Sequence, residues 1–418
     1  MPESRSVPPP APLSAPLCPA APAEVDSLPM ERVLLCGALL LDPEAGSAGP
    51  GSLLLENGRI LAKLPIGSAL PTDARVVEHP GLAVAPGFLD LHHHGRVIFA
   101  DAGGLGSALL HDAISLARHG TTAFLATSVS LEPAPLAELI LTLAERIAEW
   151  RGPPGAATPI GIHLEGPWIN PAAAGAHSPR GIRDFLPAEG EEILARGGGV
   201  IRMVTLAPEI HGASELLERL VRRGAVAALG HSLATPDLVT QAMTQGARHV
   251  THLFNAMGPM HHRAPGLAGT ALVESRLTCD LICDGMHVDR QMLTVAARCK
   301  GEGLVLITDR LDPPPLAEGR PLAAGRLRDD GGALRLGDGQ LAGSRLDLAT
   351  AVANAQRMMG MTRLDAISAC TLRPARVLGV EAERGTFRRG ARADLVVLDP
   401  EDRVVETWIA GKRAYCSR

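Results

Sequence analysis

Six side chains able to bind a metal or move a proton recur along this chain. They are His92 and His94 in "DLHHHG", Glu165 in "HLEG", His231 in "LGHS", His252 in "THLFNA" and Asp309 in "ITD". His92 and His94 are two residues apart, so on a strand both point to one face and His93 to the other. Imidazoles mixed with carboxylates suit zinc, iron or a similar divalent ion. Such an ion lowers the pKa of bound water to about 7, so metal-assisted hydrolysis is the chemistry this set can do. Each residue alone has a plainer reading. A strand-end histidine is usually a satisfied polar group, Glu165 could be a general base, and Asp309 could cap a helix. Only convergence on one face of a fold selects the metal reading.

The elements that must position them are legible. From Gly87 onward, short apolar runs alternate with helical stretches. The runs are "GFLDLHH", "TTAFLATS", "PIGIHLEG", "VIRMVTLAP", "AVAALGHS", "HVTHLF", "TCDLICDG" and "LVLITD". Between them lie segments such as "GSALLHDAISLARHG", "ASELLERLVRRG" and "DRQMLTVAARCKG", several stopped by glycine. Near-continuous apolar strands are those of a parallel sheet covered on both faces. The expected fold is therefore α/β: a (β/α)8 TIM-like barrel over 86–375, with the six groups at the C-terminal strand ends. An open doubly wound sheet is the rival, weakened because no GxGxxG follows the first strand. Residues 312–343 read as a β excursion, and "TRLDAISACTLRPARVLG" as a helix. Short strands at 30–85, with an Asn57-Gly58 hairpin signal, and again at 376–418 predict a small β-sandwich built from both chain ends. Residues 1–29, rich in proline and alanine, read as a disordered tail, with Met1 and Met30 both available as starts.

Composition narrows the partners. The 418 residues carry a formal charge of −5 without a long basic run, and aromatics are 2%, which argues against nucleic acid and anionic membranes. The seven cysteines are scattered, and a reducing, cytoplasmic setting is expected. Cys279 and Cys283 read as buried strand thiols.

Longer stretches carry a resemblance. "PGFLDLHHHG", "GIHLEGPWINPAAAGAHSP", "LGHSLAT", "THLFNAMGPMHHRAPG", "DGMHVD", "LITD" and "LAGS" resemble, in order, the N-acetylglucosamine-6-phosphate deacetylase family of the amidohydrolase superfamily. The resemblance implies that Glu165, His231 and His252 hold the principal catalytic metal and that His92 and His94 hold a second. It implies Asp309 as catalytic acid/base and His287 as a contact near the scissile amide. It implies that His177, Asn255, Ala256 and Arg263 hold the sugar and its phosphate. The implied reaction is hydrolysis of N-acetylglucosamine 6-phosphate to glucosamine 6-phosphate and acetate, by a homodimer using one or two zinc or iron ions per subunit. Other readings are a deacylase or cyclic-amide hydrolase of the same superfamily with a different N-acyl substrate, and a non-catalytic amino-sugar sensor. Two places depart from the family pattern: Arg310 follows the catalytic aspartate, where a small residue is usual, and "GRVIFADAGG" replaces a glycine-rich segment.

Overall fold

The computed structural model describes residues 31–69, 71–313, 321–322 and 325–417; the tail expected at 1–29 lies outside them. The barrel strands are β1 (Phe88–Gly95), β2 (Thr121–Thr127), β3 (Thr158–Glu165), β4 (Ile201–Leu206), β5 (Val226–Leu229), β6 (His249–Val250), β7 (Thr278–Ile282) and β8 (Leu304–Ile307). They hydrogen-bond in chain order, each parallel to the next. The ring closes just past β8. There Asp309 N–H donates to the His92 carbonyl at 2.9 Å and Arg310 pairs in parallel with His93. Every residue of β1 and β2 is buried, as strands covered on both sides require.

The outer helices bury one stripe each. In Ala213–Arg222 the buried residues are Ala213, Leu216, Leu217 and Leu220, the i, i+3, i+4, i+7 set. Each of those leucines contributes about 1.5–3 kcal/mol by leaving water. The glycine after the first helix (Leu105–Arg118) is needed for space as well as for its positive φ. A Cβ on Gly120 would sit 2.8 Å from Val396 and 2.9 Å from Phe88, where the barrel meets the terminal strands.

One expected helix is two. The stretch 362–379 forms Arg363–Cys370 and Leu372–Leu378, broken at Thr371 (φ −130, ψ −83). A continuous helix would press the Pro374 ring against the Cys370 carbonyl and leave that carbonyl without its donor. The break puts Pro374 in the first turn of a new helix, where its missing N–H costs nothing.

The chain ends do rejoin. Strands between Arg32 and Pro86 combine with Leu395–Leu398, Val404–Ile409 and Lys412–Cys416 in one eight-stranded sheet. The junction is the antiparallel pairing of Ala83–Pro86 with Leu395–Leu398. Asn57 (φ 49) and Gly58 (φ 77) form the expected hairpin turn, which needs φ above zero at both positions. The β excursion is also present. Arg310–Leu311 pairs with Leu341–Ser344, which carries Ala333–Arg335 and Arg328–Asp329 outward from the barrel. Cys279 lies in β7 and Cys283 one residue past it, both buried, and burial pushes both thiols up to about 12.

Candidate active site

Glu165 ends β3 at the centre of the barrel mouth, and its two oxygens divide the histidines around it. Oε1 lies 2.9 Å from His252 Nε2 and 3.1 Å from His231 Nε2. Oε2 lies 3.2 Å from His94 Nε2, 3.2 Å from His177 Nε2 and 3.5 Å from His92 Nε2. Asp309 Oδ1 adds a second carboxylate, 3.2 Å from His94 Nε2 and 3.5 Å from His92 Nε2. His92, His94 and Glu165 lie at the ends of their strands as expected, whereas His231 and Asp309 each lie two residues past theirs. His252 lies two residues past β6 rather than within it, because the ladder ends at Val250.

The backbone is forced into place here. His231 (φ 48), His252 (φ 31), Phe254 (φ 80), Ala256 (φ 49) and Asp309 (φ 47) all occupy left-handed conformations. Each costs on the order of 1–3 kcal/mol and persists only where the surroundings over-determine it. Two buried aspartates supply part of that restraint. Asp90 accepts from Thr308 Oγ1 at 2.6 Å and His92 N–H at 3.2 Å, tying β1 to the turn that carries Asp309. Burial raises its carboxyl to about 6 against these hydrogen bonds. Asp280 accepts the His252 N–H and meets His249 Nε2 at 3.1 Å.

Tautomers separate ligands from hydrogen-bond donors. His231 Nδ1 faces the Ala173 carbonyl at 2.8 Å and His94 Nδ1 faces that of Thr127 at 3.3 Å. A carbonyl only accepts, so Nδ1 carries the proton and Nε2 keeps a lone pair for a metal. His177 is set the other way. Its Nδ1 accepts the Ser130 N–H at 2.9 Å, so Nε2 bears hydrogen and donates to Glu165. Distance alone would group His177 with Glu165 and His231 as metal ligands; its hydrogen bonding makes it a neighbour of the carboxylate instead.

The charges fit a cation. Burial opposes ionisation of Glu165, but His92, His177 and His231 outweigh it and hold the carboxyl well below its usual range. Asp309 is likewise held low by His92 and His94 against burial. Burial depresses His94 and His252, yet the facing carboxylates raise them to about 10 and about 9, whereas burial dominates at His231 and lowers it to about 4. The cluster thus draws positive charge, and a divalent ion can satisfy the convergent Nε2 atoms together. His93 stands apart as expected, buried edge-on to Phe124, and burial with Arg310 nearby holds it well below its usual value.

The cavity above Glu165 measures about 420 Å³. His177, Asn255, Ala256 and His287 line it, and Leu311 and Leu341–Gly343 wall one side. His287 Nδ1 meets Asp284 Oδ2 at 2.6 Å, leaving Nε2 as its free atom. Asp284 was not singled out from the sequence; the i, i+3 spacing within "DGMH" was the available signal. Arg263 is not brought in. It is exposed, with its guanidinium 2.9 Å from His262 Nε2. No arginine or lysine among the described residues lines the cavity.

Arg310 turns away from the cavity. Its Nη1 donates to the Arg345 carbonyl at 2.5 Å and the Leu346 carbonyl at 3.3 Å. Asp312, two residues on, does not meet it and instead faces Arg96 and Arg345, each at 3.4 Å. Arg310→Ala should leave kcat/KM and the acid limb of the pH–rate profile near normal. It should lower stability by about 1–3 kcal/mol in denaturant titration, the cost of losing charge-assisted hydrogen bonds. An acid limb moved to higher pH would show that the guanidinium reaches Asp309.

A parallel barrel with histidines and carboxylates at its C-terminal mouth defines a metal-dependent hydrolase of the amidohydrolase type. The amidohydrolase family pattern matches residues 83–414. The chain belongs to that family and, within it, to the N-acetylglucosamine-6-phosphate deacetylases. It is 36% identical to the human N-acetylglucosamine-6-phosphate deacetylase, covering 80% of this chain and 84% of that one. It is 35% identical to the N-acetylgalactosamine-6-phosphate deacetylase of Escherichia coli O157:H7, covering 92% of this chain and 100% of that one. A Mycobacterium smegmatis deacetylase variant solved with N-acetyl-D-glucosamine 6-phosphate superposes with a TM-score of 0.79 at 35% identity, over 92% of this chain and 99% of that one. Among the described residues no helix is long and apolar enough to cross a membrane.

Proposed function

We propose that this chain hydrolyses the acetamide of N-acetylglucosamine 6-phosphate, yielding acetate and glucosamine 6-phosphate. The observation that carries the reading is Glu165, its oxygens shared between two histidine sets beside Asp309. Glu165, His231 and His252 would hold the principal ion, zinc or iron, and His92 and His94 a second. Bound there, the ion supplies an acidified water and a Lewis acid for the amide carbonyl. Asp309, ionised and at the mouth, accepts the proton of the attacking water and delivers it to the leaving amine. His287, with Nδ1 committed to Asp284, presents Nε2 toward the scissile amide. His177, Asn255 and Ala256 line the cavity in which the sugar sits.

The same proposal makes the enzyme a cytoplasmic homodimer. A phosphate dianion needs a cation that the described lining residues lack, and the exposed loop bearing Arg263 is free to supply one to a neighbouring copy. Residues 86–375 form the catalytic unit. The eight-stranded sheet shared by the two chain ends would be the core of a separate small β domain.

A second reading is favoured by one observation. One relative matched over its whole length is named for the galactosamine epimer, while solved structures matched over their whole length carry the glucosamine name. Acetate release on a panel separates the two: N-acetylglucosamine 6-phosphate, its galactosamine epimer, each sugar without phosphate, and N-acyl amino acids. The proposal expects the highest kcat/KM for the first compound and a drop of at least tenfold without phosphate. Preference for the 4-epimer would move the assignment to that sugar. Turnover indifferent to phosphate would sink the phosphosugar reading altogether.

A further inference from the structure

At the other end of the barrel, where β6, β7 and β8 begin, lies a second charged cavity of about 210 Å³. Arg248 precedes β6, Arg276 and Thr278 stand at the start of β7, and Glu302 precedes β8. The helix Leu372–Leu378 contributes Arg373 and Arg376. The proposed reaction, at the opposite strand ends, uses none of them.

Two of these cations are answered by carboxylates. Arg276 is paired with Glu274 at 2.7 and 2.9 Å, and Arg373 with Asp365 at 3.0 Å. The others are not. Among the described residues, half-buried Arg248 reaches only the Val377 carbonyl, at 3.5 Å. Beside it, half-buried Arg202 reaches, among the described residues, only the Leu378 carbonyl, at 2.8 Å. Arg376 is exposed and has no side-chain partner among the described residues. Among the described residues, Glu302 is the sole carboxylate lining the cavity.

Guanidinium groups do not give up their protons in proteins, so these charges persist. Burial lowers the proton affinity of Arg202 and Arg248, and Arg248 lowers that of Arg202 further. The two carbonyls they touch belong to a helix C-terminus, whose dipole offsets part of the charge. Among the described residues most of their donors still lack acceptors, and a partly buried cation without a counter-charge is unfavourable. A tetrahedral dianion would meet several forked donors at once, the geometry for which arginine is suited. The volume is below the range of about 300–1,000 Å³ usual for larger ligands and suits a phosphate head.

We propose that this cavity binds a phosphate dianion, free or as the monoester of a small sugar, at a site separate from the barrel mouth. The test is equilibrium dialysis of labelled inorganic phosphate against the full chain at low ionic strength, where screening is weak. Wild type is compared with Arg376→Glu, an exposed change that leaves packing intact, and with Arg248→Gln. The expected result is one equivalent of phosphate, beyond any held at the mouth, that both variants bind at least tenfold more weakly, with unchanged acetate release at saturating substrate. Phosphate held at the mouth contributes equally to all three proteins, so the difference is independent of the deacetylase assignment. Glucose 6-phosphate distinguishes the two sources. Displacement of this equivalent at lower concentration than unlabelled phosphate identifies a sugar phosphate as occupant, and the reverse order identifies free phosphate. Equal numbers and affinities of bound phosphate in all three proteins would overturn the proposal.

Discussion

Glu165→Gln should yield a folded protein that retains no tightly bound metal and loses activity by roughly 10³-fold or more, as when a member of an interdependent catalytic set is removed. The exchange preserves volume and hydrogen-bonding reach, so folding is not the step at risk. It removes the one charge whose oxygens face both histidine sets, His231 with His252 and His92 with His94. Without it, an ion at either set lacks its shared anionic ligand. Metal analysis of the purified variant checks the first part and acetate release the second. His252→Asn should follow the same course, since no nearby imidazole can replace it, and His92→Asn should cost less. A Glu165→Gln protein with full metal content and normal turnover would show that the carboxylate is not a ligand.

Asp309→Asn should behave differently: metal retained, kcat down by roughly 10²–10⁴. The carboxylate is held ionised by His92 and His94, so it stands ready to accept a proton at neutral pH. Asparagine keeps the shape but cannot take the proton. Its backbone demand is also met, because asparagine tolerates the left-handed φ of 47 at this position better than most residues do. The combination of bound metal and lost turnover separates a proton-transfer role from a ligand role. An active Asp309→Asn enzyme would require another proton acceptor.

What the sequence made legible follows from what is local. The barrel strands are continuous apolar runs, and His92, Glu165, His231 and Asp309 close or immediately follow them, so fold and site announced each other. The missed features depend on contacts across the chain. Ser130 N–H sets the tautomer of His177, 47 residues away, and nothing in "GAHSP" indicates it. Arg310 finds its acceptors 35 and 36 residues on, at Arg345 and Leu346, rather than at the nearby Asp312. Arg263 resembles a phosphate ligand by motif, yet its loop lies outside this chain's own cavity. The break at Thr371 could have been read locally, because Pro374 four residues beyond Cys370 forbids a continuous helix; apolar periodicity across the whole stretch obscured it.

The most direct test is an anomalous diffraction map of crystals grown from protein that was never exposed to chelator, recorded on both sides of the zinc and iron absorption edges. The account predicts an ion within about 2.0–2.3 Å of Glu165, His231 Nε2 and His252 Nε2, with any second ion at His92 and His94. Full anomalous occupancy at His92 and His94 with none at His231 and His252, or no metal peak at the barrel mouth in an active preparation, would contradict it.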